Sequence, residues 1–377
     1  MSLSNVDVLK ATLWASAFDQ IDRGILNLQN QVSRDVESNF VSQKGKTVAI
    51  PISPDATDAT EWDGVSSVSD DTQAAATVNV TLEKIFVKKQ TFSSSDISMH
   101  GYNLIQEMGV PLAEGLLTSV NKYLINKMLG TRNFIDGRSS FTEDSLTDAR
   151  TKLTMNKASS SGRIAVMSPD DTGVLLKRDA FKFAQYAGSD EAQRLGLLGM
   201  KSGMSLAENH AIQTYTPADV AGAINNGAGY GAGDTVITVD AFADAALPIK
   251  IGDMFTIAGE TGTPLHTVTA RIKDGSNNTI GLSFYPALVS TVADNAVVTV
   301  IPTRSVLCFT PNALAFAAKT LAELPKGSGA DCAIVNVQGI PVRITTKVTD
   351  NLGIFVQMDN LVGAELVRDS RIVKIVR

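Results

Sequence analysis

Histidine and cysteine, the residue types that most often bind metals or act in catalysis, are few in this chain and far apart. The three histidines are His100, His210 and His266, and no two of them have the spacing of metal ligands on one helix. The cysteines Cys308 and Cys332 match neither a zinc ribbon nor a redox pair, and two thiols are too few for a disulfide scaffold. We therefore expect no metal, no cofactor and a reducing compartment.

Three short patterns resemble catalytic or phosphate-binding motifs, but each lacks the context that its motif requires. Ser119 and Lys122 match S-x-x-K, yet the partner motifs of acyl-transfer enzymes are missing. The glycines from Gly227 to Gly233 precede a strand pattern instead of leading from a strand into a helix, so we interpret them as a flexible hinge at a module boundary. The paired carboxylates, at positions 70–71 and 170–171, are adjacent and poorly placed to share one substrate. The sequence predicts no enzyme and no catalytic residue.

A long acidic connection between two predicted strands indicates a surface that contacts another protein chain. There is no Lys or Arg from Thr47 to Glu83, whereas three lysines follow at once. Trp62 stands between two of the acidic residues and would supply an apolar anchor. The alternative, a solvated surface loop, stays open. The candidate contact residues here are Glu61, Trp62, Asp63, Lys84, Lys88 and Lys89; the other acidic residues are Asp55, Asp58, Asp70 and Asp71, and further basic partners are Arg132 and Arg138.

Composition excludes several classes of protein. With 377 residues, 44% hydrophobic and 19% charged, the chain is long and apolar enough to bury one or two cores and is not disordered. A net charge of −6 and 6% aromatics argue against a broad phosphate-binding face or a base-stacking platform. We find no signal peptide in residues 1–24 and no apolar stretch long enough to span a membrane, so we expect a soluble protein, cytoplasmic when made.

Hydrophobic spacing near the N-terminus predicts a helix from Val6 to Ser38. Its apolar stripe is narrow, which favours a helix lying against a neighbour, although an ordinary core helix is the alternative. Trp14, Phe18 and Ile21 are the contact candidates on this stripe.

The next segments predict a two-stranded arm followed by helices. Alternation over Val48–Ile52 and Val78–Leu82 indicates two strands. Helices are predicted from Tyr102 to Gly130, with Pro111 at a kink or at the true start, and from Asp144 to Lys157, with Thr142 as the cap. A short buried strand is expected at Ile164–Met167.

Beyond Pro217 the composition changes to a glycine-, threonine- and valine-rich stretch that continues to Pro302. Its short, evenly spaced strand patterns are typical of a small barrel or sandwich inserted into the main domain. A helix is predicted from Pro311 to Leu324 and alternating strands from Gly339 to Arg377. The strand patterns of the module are Thr235–Val239, Met254–Ile257, His266–Ala270, Thr279–Ser283 and Val297–Ile301.

Three stretches carry a resemblance to a known family: IGDMFTIAG (Ile251–Gly259), LCFTPNALAFAAKTLAELPKG (Leu307–Gly327) and GIPVRITTKVTDNLGIFVQMDNLVGAELVRDSRIVKI (Gly339–Ile375). With the order of elements, they make the chain resemble a tailed-phage major capsid protein of the Hong Kong 97 fold. More narrowly, it is similar to the coat-protein family of the podovirus P-twenty-two, in which a β-barrel interrupts the apical domain.

The resemblance implies an α+β fold with seven parts. These are an N-terminal arm helix (1–45), an extended two-stranded arm (46–92), a peripheral domain with a long spine helix (93–180), the first part of an apical domain (181–216), an inserted β-barrel domain (217–302), the second part of the apical domain (303–338) and C-terminal strands of the peripheral domain (339–377).

The same resemblance implies a homo-oligomeric icosahedral shell of pentamers and hexamers around double-stranded DNA, assembled in the bacterial cytoplasm. The implied partners are a scaffolding protein, a portal protein, a decoration protein in some relatives, and DNA held non-specifically, with no membrane. Two alternatives are an encapsulin-like container for protein cargo, and a β-rich adhesin or hydrolase.

Overall fold

The computed structural model describes residues 28–37, 46–53, 59, 61–62, 64–65, 67, 76–93, 109–183, 195–196, 198–217, 221–242, 249–273, 280–324, 329–337, 339–349 and 353–377. These residues form helices and sheets of the α+β class. The helices are α1 (Val110–Leu129), α2 (Glu143–Met155), α3 (Pro169–Leu176) and α4 (Asp179–Lys182), with short 3-10 turns at Leu28–Asn30, Pro311–Ala313 and Asp369–Arg371.

Most of the regular structure is β. The strands are β1 (Thr47–Ile52), β2 (Ala76–Thr81), β3 (Lys84–Ser93), β4 (Phe134–Asp136), β5 (Ile164–Met167), β6 (Met200–Lys201), β7 (Met204–Glu208), β8 (Ala221–Ile224), β9 (Val236–Asp240), β10 (Met254–Ile257), β11 (His266–Lys273), β12 (Ile280–Tyr285), β13 (Val297–Ile301), β14 (Ser305–Phe309), β15 (Leu314–Lys319), β16 (Ala330–Val337), β17 (Ile340–Val348), β18 (Gly353–Leu366) and β19 (Ile372–Val376).

The chain divides into two compact units. The first contains Ser33–Leu112 and Leu314–Val367, and the second contains Gln20–Val32, Ala113–Ala313 and Arg368–Arg377. Within the first unit, β18 is the central strand of a five-stranded antiparallel sheet, with β17 and β15 along one side and β3 along the other. β16 completes this sheet beyond β17, while β1 and β2 form a separate hairpin.

The second unit holds a six-stranded mixed sheet in the order β4-β19-β14-β5-β7-β6. β14 and β19 are buried on both faces, which explains why all but one residue of each strand is apolar. Helix α2 packs on this sheet through Leu146, Ala149 and Leu153. Helix α1 begins next to Pro111, a residue suited to the first helical turn, and ends before Gly130.

Strands β8 to β13 of the second unit close into a barrel, in the order β10-β11-β12-β9-β8-β13. Alternate side chains point inward and form a core of their own, which includes Ile237, Phe255, Val268, Leu282 and Val298. Closure pairs every strand on both sides, so no barrel strand is left as an edge.

Several strands and helices lie where the sequence predicts them. The two arm strands, helix α2 and strand β5 agree within a few residues. Thr142 caps α2, since its side-chain oxygen accepts a hydrogen bond from Asp144 N at 3.2 Å. Residues 102–108 lie outside the described part, and from residue 110 the predicted helix is present as α1.

The helix predicted from Pro311 to Leu324 is wrong. A 3-10 turn opens the segment and strand β15 follows, paired with β18 from Leu314 to Lys319. The first four residues of β15 are buried, so its alanines and Phe316 pack inside the sheet instead of along one side of a helix.

The predicted N-terminal helix is interrupted between residues 31 and 36, and its residues before 28 and after 37 lie outside the described ranges. After the 3-10 turn Leu28–Asn30 the chain bends, and Ser33 forms a single bridge with Ala315. Ser33 N donates to Leu314 O at 3.2 Å, and Phe316 N donates to Ser33 O at 2.9 Å. Pairing with β15 therefore replaces the helical hydrogen bonds.

Three boundaries also need correction. The expected boundary between the apical domain and the C-terminal strands, at 338/339, cuts the β16–β17 hairpin. The expected end of the two-stranded arm, at 92/93, cuts β3, which pairs with β18 and not with the arm. The glycines from Gly227 to Gly233 lie inside the barrel, between β8 and β9, and not at its boundary. Tyr230 within this loop exchanges two backbone hydrogen bonds with Val292 (2.9 and 3.0 Å), which argues against a flexible hinge.

Among the helices that the structure describes, none is long and apolar enough to cross a membrane.

Candidate assembly surface

The two-stranded arm, defined as β1 and β2, is a regular antiparallel hairpin. Its strands pair over six positions, from Thr47 opposite Thr81 to Ile52 opposite Ala76. At its base, Val48 and Val80 turn inward onto Val36 and Ala317 of the same unit. The rest of the arm is largely exposed, so the hairpin is anchored at one end only.

The base of the arm is joined tightly to β18. Leu82 N donates to Lys46 O at 2.9 Å, and Glu83 N donates to Val362 O at 3.2 Å. Gly363 lies so close to Thr81 O that any β-carbon at this position would overlap it. Only glycine permits this approach, and the approach sets where the arm leaves the sheet.

Strand β3 follows the arm after two residues and is an edge strand among the strands that the structure describes. Eight of its ten residues are exposed, including Ile85 at 54% and Val87 at 48%. An edge strand with exposed branched side chains is a surface suited to pairing with another chain. Sequence reasoning chose the lysines here and missed these two residues, although they alternate with the lysines in the run KIFVKK.

The three candidate lysines of β3 do not act as one group. Because side chains alternate across a strand, Lys84 and Lys88 share one face of the sheet, and Lys89 lies on the other with Ile85 and Val87. Lys89 Nζ lies 4.3 Å from the centre of the Phe355 ring, a cation–π contact within the chain.

A buried ion pair stabilises the centre of the same sheet. Arg343 on β17 donates to both carboxylate oxygens of Asp359 on β18, at 2.9 and 2.8 Å, and Gln357 adds a third hydrogen bond at 2.8 Å. The hydrogen bonds to Asp359 raise the pKa of the Arg343 guanidinium. Both side chains of this pair are largely buried and bonded to each other. The pair therefore positions β18 and presents no charge to a partner chain.

The remaining predicted contact residues fall into two groups. Glu61 and Trp62 are exposed, Trp62 at 63%, whereas Trp14, Phe18, Ile21 and Asp63 lie outside the described residues. The arginines suggested as partners are already paired: Arg132 with Asp369 and Arg138 with Asp136, each at 2.7 Å. The hydrogen bond from Arg138 lowers the pKa of Asp136, so this arginine is a weaker candidate than the lysines of β3.

Residues with catalytic potential are engaged in packing. Ser119 Oγ donates to Gly115 O at 2.8 Å, one helical turn away, and burial raises the pKa of the Cys308 thiol to about 12. Within the described ranges, no three His, Cys, Asp or Glu side chains converge on a point where a metal ion could bind.

Comparison with solved structures identifies the fold. The chain is similar to a structure from Mycobacterium phage Che8, with a TM-score of 0.53 and 13% identity over 92% of this chain and 89% of that chain. It is also similar to the capsid structure of the Cyanophage P-SCSP1u (TM-score 0.52, 11% identity, 94% and 89% covered). The capsid of Ralstonia phage GP4 matches comparably (TM-score 0.51, 11% identity, 95% and 92% covered). No protein-family model matches the sequence, and neither does any curated protein.

The fold is therefore that of phage capsid proteins. The resemblance to the Hong Kong 97 type, which three stretches of sequence suggested, is confirmed at the level of the fold.

Proposed function

We propose that this protein is the major capsid protein of a tailed phage. Copies of the chain would assemble as pentamers and hexamers into an icosahedral shell around double-stranded DNA. One observation carries the proposal: at least nine-tenths of the chain follows the fold of the three phage structures, so the likeness is not limited to one domain.

The two-stranded arm supports a role in assembly. A hairpin held only at its base buries little apolar surface in its own subunit, and an isolated two-stranded hairpin is marginally stable in water. Laid over a neighbouring copy, it gains both apolar burial and backbone pairing.

We assign the partner of the acidic arm segment to β3 of a neighbouring copy. The segment from Thr47 to Glu83 contains seven acidic residues and no basic ones, while β3 exposes Lys84 and Lys88 on one face and Ile85 and Val87 on the other. Each exposed ion pair contributes only about 0–1 kcal/mol, so these pairs would set register and association rate more than affinity. Trp62 would be the apolar anchor of the contact.

The barrel is assigned as an inserted domain of the capsid fold. Support comes from its separate core and its closed strand order. The proposed partners of the shell are a scaffolding protein, a portal protein and, in the finished particle, a decoration protein, with a procapsid that expands on packaging. The net charge of −6 is consistent with a shell that encloses DNA without gripping it.

The test is electron microscopy of the full chain, expressed alone and together with the products of its neighbouring genes. We expect closed shells of uniform size in at least the second sample, and DNA in particles recovered from infected cells. Particles filled with protein instead of DNA would favour the encapsulin-like alternative. The absence of shells in both expression samples and of this chain from purified phage would contradict the proposal.

A further inference from the structure

Within the second unit, the barrel is connected to the mixed sheet by two chain segments that run side by side. Tyr215 precedes the first barrel strand and Thr303 follows the last one. Tyr215 N donates to Thr303 O at 2.9 Å, and Thr303 N donates to Tyr215 O at 3.1 Å. This pair of bonds forms a narrow, two-stranded connection.

A second contact joins the barrel to the end of helix α1. Gly252, just before β10, has a φ of +94° and lies against the last turn of the helix. A β-carbon there would lie 2.5 Å from Leu129 O and 2.8 Å from Leu129 C. The backbone of the barrel therefore rests directly on the helix terminus.

A buried lysine holds this contact together. Lys374 on β19 is fully buried, and its Nζ donates to Leu129 O (2.9 Å), Gly252 O (2.9 Å) and Thr267 Oγ1 (2.8 Å). One side chain thus bonds to the helix end, the loop before β10 and strand β11. A cation is also favoured at a helix C-terminus, where carbonyl groups lack intrahelical partners.

The space between the two connections is not filled. A cavity of about 440 Å³ is lined by Asn126 and Leu129 of α1, Gln213 and Tyr215 of the first connection, Ile251 and Thr303. This cavity is partly open to solvent, because Asn126, Gln213 and Ile251 in its lining are exposed, so it leaves room for movement at the junction.

We propose that this junction is a latched joint. The barrel swings about the Tyr215–Thr303 connection into the cavity, and Lys374 is the latch that holds it in the position described here. Breaking the three hydrogen bonds of Lys374 releases Gly252 from the helix end, whereas the connection itself stays intact. The inference concerns the subunit alone and stands whether or not the chain forms a shell.

The test is a distance measurement by pulsed electron paramagnetic resonance on the unassembled full chain. Spin labels are placed through Lys122→Cys on α1 and Thr261→Cys on the barrel, both exposed positions, with Cys332→Ser to remove the one partly exposed thiol. We expect one narrow distance distribution with Lys374 present, and a second, shifted population in Lys374→Met.

Two further variants link the motion to the latch and to the cavity. Lys201→Met is the control, because Lys201 also donates to a backbone carbonyl (Ala180 O, 3.5 Å) but on strand β6, at the edge of the mixed sheet opposite β4. It should leave the distribution narrow. Adding Gln213→Trp to Lys374→Met should remove the second population, since an indole would fill the cavity.

The proposal is overturned by an unshifted distribution in Lys374→Met, by an equal shift in the Lys201→Met control, or by a second population that persists in the presence of Gln213→Trp. If circular dichroism shows that Lys374→Met does not fold, Thr267→Val decides. This substitution removes one hydrogen-bond acceptor of Lys374 with little change of side-chain shape, and it should produce a smaller second population. An unshifted distance distribution in Thr267→Val would contradict the role of Lys374 as the latch.

Discussion

Asp253 and Lys374 are two titratable residues whose burial opposes their charged forms. Burial raises the pKa of Asp253 to about 6 and lowers that of Lys374 to about 7, although each charge partly offsets the effect on the other. Lys250, Arg271 and Asp369 also act on this pair through their charges. The region therefore carries ionised groups at a cost to folding near neutral pH.

The sign of the resulting pH dependence follows from proton binding. An unfolded chain releases the Asp253 proton near pH 3.8, whereas the folded chain keeps it to about pH 6. The folded state binds more protons in this window, so we expect the free energy of unfolding to fall as pH rises from about 4 to 6, by at most about 3 kcal/mol.

Urea unfolding at several pH values checks this prediction. Asp253→Asn should abolish the fall between pH 4 and 6, because the amide oxygen still accepts from Lys250 N (2.8 Å in the native chain) but carries no charge. An unchanged slope in that variant would show that another group is responsible. Lys374 acts in the opposite direction: its contribution to the free energy of unfolding rises between about pH 7 and 10.5, as the unfolded chain alone remains protonated.

At the scale of elements, the barrel contains the contacts that an independent domain needs. Its core includes Ile224, Phe255 and Phe284, and the His266 ring packs against both phenylalanine rings, which also contact each other. His266 Nε2 contacts Glu260 Oε2 at 2.8 Å, and Glu260 Oε1 accepts from Val289 N at 2.7 Å, which ties together the loops after β10 and β12.

We expect the segment from about Thr216 to Pro302 to fold when expressed alone. Dispersed amide resonances in a proton–nitrogen NMR spectrum would be the expected result, because the core is formed within the segment and no strand edge is left open. Val268→Asp is the matched control, since it buries a charge in that core and should collapse the dispersion. A random-coil spectrum of the unsubstituted segment would contradict the domain assignment.

Local patterns predicted elements well where the pattern itself specifies the structure. Alternation over Val48–Ile52 and the Thr142 cap are visible in sequence because they depend on near neighbours. The run LAFAAK at 314–319 predicts a helix because alanine favours one, whereas pairing with the distant strand β18 makes it a strand.

The same limit applies to the assembly surface. Lysines 84, 88 and 89 are evident in the sequence, but their division between two faces and the exposure of Ile85 depend on how β3 pairs with β18. The joint at Gly252 could not be predicted at all, because Leu129, Gly252 and Lys374 are more than 100 residues apart and meet only in the folded chain.

At the scale of the whole molecule, the acidic arm segment predicts a dependence of assembly on charge. Glu61→Lys combined with Asp63→Lys should slow or block shell formation and leave the circular dichroism of the subunit unchanged, because the reversal repels the lysines of β3. Light scattering measures the assembly rate, and higher salt should slow assembly of the unchanged protein.

The matched control is Glu114→Lys combined with Glu323→Lys, which changes the net charge equally at two exposed positions that are not part of the acidic segment. It should assemble at close to the normal rate. Normal assembly of the arm variant at low salt would mean that the acidic segment is a solvated loop with no part in docking.

The N-terminal stripe predicts a second effect on assembly. Trp14→Ala and Ile21→Ala each remove a contact worth about 2–4 kcal/mol if it is fully enclosed, and we place that contact between copies. The yield of shells should fall more than the melting temperature of the free subunit. Val36→Ala, at a buried position within the first unit, should lower both together, and the same parallel loss in Trp14→Ala would identify a core helix instead.

The pairing of Tyr215 with Thr303 has a consequence for how such a chain is built. Because the chain leaves and returns through adjacent backbone positions, everything between them can be cut out and the ends rejoined by a very short link. A gene for a chain without the barrel could thus acquire this segment, or a gene with it could lose it, in one recombination step that leaves the register of β14 unchanged. The same two positions are where a foreign domain could be exchanged for the native one.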